Sequence, residues 1–193
     1  ASYNSGSQSK AFWAAYYTNT VQGLNVWDEQ VKFMKTWVQK VDSYPNVIGY
    51  EILNEPHIWN NNQYAQLGTM QTYIGNKLRE VTSRYIIFTR ETIHGGGATW
   101  GSVNQRVSMA PKLTSFKERI WWTPHHYATT MGNFTSSSTN HDNPSGGYLW
   151  VWQKVNSTLG ITMPPMAAGE CATQDDQSWG DLLDPLVAQA SSD

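Results

Sequence analysis

The stretch VIGYEILNEPH, residues 47–57, decides the fold class. Its apolar side chains fall on both faces of a pleated strand, which is typical of a strand that is covered on both sides: Val47, Ile48, Ile52 and Leu53. Pro56 cannot donate to a ladder and ends the strand. The stretch therefore predicts a buried strand that presents Asn54 and Glu55 at its C-terminal end.

Strand and helix patterns alternate on either side of this stretch. Residues 1–24 show no clean period and predict a loop with a short helical or extended piece. The predicted helices are 25–43, 62–83, 148–160 and a last one around 182–187. Asn25 is predicted to cap the first of them, and Phe33 and Trp37 are expected to flank its apolar face. The other predicted strands are 84–91, 119–127 and 163–171, with loops at 94–102 and 129–147, the second one long and mobile. Such alternation predicts parallel strands joined by crossover helices, an α/β fold.

Composition excludes several classes of function. The chain has 193 residues, a formal net charge of -2 and 15% charged residues, so there is no basic surface for nucleic acid or an anionic membrane. No apolar run reaches bilayer-spanning length, which predicts a soluble protein. A single cysteine, Cys171, excludes an internal disulfide, and no metal-ligand spacing is present. We expect neither a metal nor a cofactor.

The aromatic content is high, with ten Trp and ten Tyr. Aromatic rings fill cores, but they are also flat platforms on which sugar rings stack. Trp59, Trp100 and Trp179 occur in polar, loop-like stretches, which favours the platform interpretation.

Polar groups recur where the predicted strands end. They are Asn54-Glu55, Arg90-Glu91, His125-His126-Tyr127 and Gly169-Glu170. Parallel α/β folds gather reactive groups at the carboxyl ends of their strands. Two carboxylates delivered there can act as an acid and a base, or as an acid and a nucleophile. Glu55 and Glu170 are the candidate pair.

The order of these motifs resembles glycoside hydrolase family 5, the cellulase-type retaining glycosidases. Three motifs match, in order, the family's pattern from its fourth to its seventh strand. They are Asn-Glu-Pro after VIGYEIL, then His-x-Tyr, and then the Glu that ends MAAGE. The resemblance implies that Glu55 is the general acid/base and Glu170 the nucleophile. It further implies that Asn54 contacts the sugar 2-hydroxyl, and that His125 and Tyr127 bind substrate and hydrogen-bond the nucleophile.

Other polar residues near the candidate site are assigned no catalytic role. Strand alternation puts residues 125 and 127 on the same face, so His126 is excluded from the site. Glu51 is interpreted as a buried carboxylate, paired with Arg90, and Glu91 as structural. His57 and Trp59 follow the acid and either line the cleft or pack within their loop; the sequence leaves both alternatives open.

The resemblance covers only part of the family's domain. A (β/α) barrel has eight strand–helix units and typically about 250 residues. Residues 1–193 show four strands, so we expect a single partial barrel domain whose N-terminal strands and last strand are not evident. A further segment or another chain is the expected source of the strands that complete the barrel.

The predicted function is retaining, endo-acting hydrolysis of a β-linked glucan such as cellulose. The expected partner is a polysaccharide or oligosaccharide, with no nucleic acid and no membrane, and the expected location is extracellular. The alternatives are a non-catalytic carbohydrate-binding or remnant barrel module, and a mannanase or glycolipid glycanase of the same clan.

Overall fold

The computed structural model describes residues 7–89, 92–93, 108–123, 125–127, 157 and 170–172. The helices within these ranges are α1 (Ser7–Tyr17), α2 (Val26–Val41) and α3 (Gln63–Arg79). The strands are β1 (Gly49–Glu51), β2 (His57–Ile58), β3 (Tyr85–Thr89), β4 (Thr92–Ile93), β5 (Ile120–Thr123), β6 (His125–Tyr127) and β7 (Glu170–Ala172). The predicted loops at 94–102 and 129–147 lie outside the described residues. So do the predicted helices around 148–160 and 182–187, apart from Ser157, and the predicted strand before Glu170.

The described strands pair only in parallel. β1, β3 and β5 form a three-stranded sheet in that order, β2 pairs with β4, and β6 pairs with β7. β6 begins two residues after β5 ends and belongs, with β7, to a separate two-stranded sheet. The strands that the sequence predicts at 47–53, 84–91 and 119–127 therefore neighbour one another in chain order, as alternation with crossover helices requires.

The core lies between the helices and the β1–β3–β5 sheet. The helix predicted at 62–83 ends at Arg79, and four of its apolar side chains, which recur at helical spacing, are fully buried: Leu67, Met70, Ile74 and Leu78. Val31 and Val38 of α2 are also buried, and Ile86, Phe88 and Ile120 meet them from the sheet. Burial of these side chains is the main favourable term for this arrangement.

The outer side of α2 differs from the prediction. Phe33 and Trp37 were expected beside the apolar face, but they are 73% and 56% exposed. An α-helix turns about 100° per residue, so Phe33 lies about 160° around the helix from Val31. Only the Val31–Val38 side faces the core, and hydrophobicity alone did not place the other two residues there.

The start of α2 has a different cap from the one predicted. Asn25 occupies the N-cap position but its side chain makes no capping hydrogen bond. Instead the side-chain oxygen of Asn19 accepts the backbone N–H of Trp27 at 2.8 Å. Asn19 has φ 61°, a left-handed conformation that asparagine tolerates well. The turn before the helix thus folds back and supplies the acceptor.

The first described helix carries a cluster of aromatic rings. The helical alternative for part of residues 1–24 is confirmed by α1. Four rings contact one another edge-on, tilted or stacked, with centroids 5.4–6.1 Å apart: Phe12, Trp13, Tyr16 and Tyr17. The indole N–H of Trp27 donates to the carbonyl of Tyr16 at 2.7 Å. This buried hydrogen bond docks α1 onto α2.

Candidate functional site

The backbone leaves the regular ladder just after β1. The N–H of Ile52 still donates to the carbonyl of Ile87 at 3.2 Å. Glu55 then adopts φ 43°, in the left-handed region, and Pro56 follows it as a buried residue. Asn54 is exposed and Glu55 is half-buried. A left-handed glutamate is uncommon, and such conformations cluster at functional sites.

Parallel pairing resumes beyond this segment with one residue inserted. Glu51 pairs with Ile87 and His57 pairs with Thr92. Six positions therefore separate the two residues on the first strand, whereas five separate their partners. The segment 52–56 holds the extra residue, as a β-bulge does, and bulges next to active sites re-aim a side chain. Pro56 was predicted to end the strand, but β1 already ends at Glu51 and a second strand, β2, begins directly after the proline.

His57, for which both cleft lining and loop packing were expected alternatives, contacts helix α1. Its ring stacks on Trp13 of α1, with centroids 5.0 Å apart and an interplanar angle of 11°. The backbone carbonyl of His57 accepts a hydrogen bond from the hydroxyl of Tyr17 at 2.8 Å. His57 therefore packs against α1 and not only within its own loop, and a role in lining the cleft stays a prediction.

A buried glutamine holds the continuation of the loop. Gln63, at the first position of α3, is only 2% exposed. Its side-chain oxygen accepts the backbone N–H groups of Trp59 and Asn60, at 2.6 and 3.2 Å. Sequence analysis missed this residue, because a glutamine in a helix usually signals a solvated surface. Its position directly after the polar turn at 60–62 was the available signal.

The second half of the predicted site lies on β6 and β7. His125 pairs with Glu170, and Tyr127 pairs with Ala172. Neighbouring strands lie about 4.8 Å apart, so the backbones of His125 and Glu170 are adjacent. Glu170 is the first residue of the described strand, which runs to Ala172, one residue beyond the predicted end. For His125, Tyr127 and Glu170 the structure describes backbone positions.

The register also relates the two glutamates. Glu51, Ile87 and Trp121 form one row across β1, β3 and β5. Glu55 is four residues beyond this row on the first strand. His125, which pairs with Glu170, is four residues beyond it on the third. Glu55 and His125 therefore follow residues of the same row by the same number of positions along the chain. That Glu55 and Glu170 face each other, and the distance between their carboxyl groups, stay predictions.

Glu51 is not a buried carboxylate. It is exposed and borders an open groove of about 440 Å³, together with Phe33 and Trp37 of α2. It lies on β1, at the edge of the described three-stranded sheet, so one side of it is not covered by a neighbouring described strand. Its proposed partner Arg90, like Glu91, lies outside the described residues.

The described residues contain neither a metal-binding cluster nor a membrane-spanning helix. No group of three or more His, Cys, Asp or Glu side chains there could hold a metal ion. No described helix is both long enough and apolar enough to cross a bilayer.

Comparison with known families agrees with this layout. The family model described as Cellulase (glycosyl hydrolase family 5) matches residues 6–190, nearly the whole chain. The chain belongs to glycosyl hydrolase family 5. No curated protein matches it significantly. Membership supports glycoside hydrolysis of the clan A type, and the described part of the sheet, parallel with helices packed on it, is consistent with a portion of that family's barrel.

Proposed function

We propose that this chain is a retaining, endo-acting glycosidase that cleaves a β-linked glucan such as cellulose. Glu55 is the acid/base and Glu170 is the nucleophile. The observation that carries the proposal is the strand register in which His125 pairs with Glu170 on adjacent parallel strands. Family membership supports the reaction type.

The reaction proceeds in two displacements. The carboxyl group of Glu55 donates its proton to the glycosidic oxygen while a carboxylate oxygen of Glu170 attacks the anomeric carbon. The C–O bond to the leaving group breaks and a glycosyl ester forms on Glu170. Glu55, now a carboxylate, takes a proton from water, whose oxygen attacks the anomeric carbon and releases Glu170. No cofactor takes part.

The remaining predicted residues bind and orient. Asn54 donates to the sugar 2-hydroxyl, a contact that strengthens in the transition state of such enzymes. His125 and Tyr127 hydrogen-bond the ionised Glu170 and favour its charged form. The adjacent backbones of His125 and Glu170 support this part of the proposal.

The substrate and the setting are further parts of the proposal. Ten Trp and ten Tyr favour a polysaccharide that stacks its sugar rings on aromatic side chains, and we place the enzyme outside the cell, where such polymers occur. A mannan or a glycolipid glycan is the competing substrate within the same reaction class. Reducing-sugar release from β-glucans, mannan and xylan separates these substrates, and we expect the largest release from a β-glucan.

Paired variants test the two glutamates. Glu170→Ala should abolish turnover of every substrate, because the nucleophile is gone. Glu55→Ala should abolish polysaccharide hydrolysis but keep the first step for 2,4-dinitrophenyl β-cellobioside, whose leaving group needs no proton. The measurements are release of the dinitrophenolate and of reducing sugar. Sugar binding without turnover in the unsubstituted chain would instead indicate a non-catalytic binding module.

A further inference from the structure

The backbone on both sides of Glu55 is held from one helix. Tyr16 and Tyr17 are consecutive residues of α1, and both are buried, at 7% and 2% exposure. The hydroxyl of Tyr17 donates to the carbonyl of His57, two residues after Glu55, at 2.8 Å. This hydrogen bond fixes the C-terminal side of the bulged segment.

The N-terminal side is reached through a glutamine. The hydroxyl of Tyr16 donates to the side-chain oxygen of Gln30 in α2. The side-chain NH₂ of Gln30 in turn donates to the carbonyl of Ile52, three residues before Glu55, at 2.7 Å. The relay uses both ends of one amide, so removal of the Tyr16 hydroxyl frees the amide to rotate.

The helix that carries the two tyrosines is itself anchored. Trp27 donates its indole N–H to the carbonyl of Tyr16, and the ring of Trp13 stacks on His57. α1 is therefore fixed to α2 on one side and to the loop after Glu55 on the other. A support of this kind is needed because the left-handed conformation of Glu55 is unfavourable for a residue with a Cβ and persists only where the surroundings impose it.

We propose that Tyr16, Tyr17 and Gln30 form a bracket that positions the Glu55 carboxyl group against the leaving-group oxygen. The three are positioning residues, since each acts on the backbone of the segment 52–57. The inference rests on the proposed function, in which Glu55 is the acid/base. Its chemical consequence is specific: loosening the bracket impairs proton donation and leaves the attack by Glu170 unchanged.

Leaving-group dependence separates this role from a general loss of stability. Y17F removes one hydroxyl and keeps the ring. We expect kcat/KM on phenyl β-cellobioside to fall about 10- to 100-fold, because general acid catalysis contributes 10²–10⁴-fold and a displaced acid loses part of that. On 2,4-dinitrophenyl β-cellobioside, which needs no proton, the fall should stay within about threefold by the same reasoning. Y16F, which acts through Gln30, should show the same selectivity.

Y50F is the matched control. Tyr50 is buried, and its hydroxyl donates at 2.8 Å to Asp42, the C-cap residue of α2. Its loss removes a hydrogen bond of the same kind, so any effect should be equal on the two cellobiosides. If Y16F and Y17F lowered kcat/KM equally on the phenyl and the 2,4-dinitrophenyl cellobioside, as the control should, the proposed bracket would be overturned. If Glu55→Ala also lacked leaving-group selectivity, the acid/base assignment would fall, and the bracket with it.

Discussion

A single glutamate, Glu55, sits in a left-handed conformation between two stretches of parallel ladder. Glycine and asparagine adopt this conformation readily, whereas glutamate does so only under constraint. The sequence identified Glu55 through its motif and its place after an apolar strand. It could not identify the bulge, because the bulge depends on the pairing of residues 57 and 92 and on hydrogen bonds from α1 and α2.

Gln63 offers a test of that loop at the level of one side chain. Gln63→Leu leaves the N–H groups of Trp59 and Asn60 without their acceptor. We expect the free energy of unfolding to drop by about 1–3 kcal/mol, since each of the two lost hydrogen bonds contributes about 0.5–1.5 kcal/mol. Urea denaturation measures it. Gln66→Leu, in the same helix but only half-buried, should change stability by no more than about 0.5 kcal/mol. Equal effects of the two substitutions would contradict the role of Gln63.

At the scale of elements, hydrophobic periodicity predicted the helices well where one face is buried. Leu67, Met70, Ile74 and Leu78 recur at helical spacing and all lie in the core. It failed for Phe33 and Trp37, since an aromatic residue carries no information about which side of a helix meets the sheet. The cap of α2 was missed for a related reason: Asn19 is brought to Trp27 by a turn.

The two glycines inside α3 differ in what surrounds them. A Cβ at Gly68 would collide with the backbone carbonyl of Ser108, whereas one at Gly75 would meet a methyl of Leu113 at 2.7 Å. Alanine gains about 1 kcal/mol of helix propensity over glycine at either position. We expect Gly68→Ala to lower the melting temperature clearly, because backbone cannot move aside cheaply. Gly75→Ala should be near neutral, since the leucine can change rotamer. The reverse order in thermal melts would contradict this packing.

An ion-pair cluster joins α2 to the end of α3. Lys35 and Lys77 contact the carboxylate of Glu80 at 2.6 and 2.9 Å. The hydrogen bonds from the two lysines lower the pKa of Glu80 to about 2, and the one from Lys35 has the largest effect. A lowered carboxyl pKa stabilises the fold above the unfolded value of about 4.3, and this contribution is lost as pH falls through the folded value.

The melting temperatures of the wild type and of Glu80→Gln test this linkage. We expect the wild type to melt higher at pH 6, and the gap to close as pH falls from about 4.3 towards 2. At 1 M salt the gap at pH 6 should also shrink, because the Debye length is then about 3 Å and the groups are partly exposed. A gap that persisted at pH 2 would show that Glu80 acts otherwise than by its charge.

At the scale of the molecule, alternation along the chain predicted the neighbours correctly. The strands that contain residues 49–51, 85–89 and 120–123 are adjacent, parallel and in chain order, and β6 and β7 pair next along the chain. This topology is predictable because crossover connections put consecutive parallel strands side by side. The register of the strands is not predictable in this way. It is set by pairing between residues about 35–45 apart in the chain, which no local sequence pattern encodes. The pairing of His125 with Glu170 therefore emerged only from the structure.

The anomer first released from a β-cellobioside tests the central claim most directly. A glycosyl ester on Glu170 inverts the anomeric carbon once and its hydrolysis inverts it again, so a double displacement retains configuration. Proton NMR during the first minutes of hydrolysis distinguishes the two anomers before they equilibrate. The account predicts that the β-anomer accumulates first and the α-anomer grows in later. Initial release of the α-anomer would mean a single displacement by water, and would contradict the assignment of Glu170 as nucleophile.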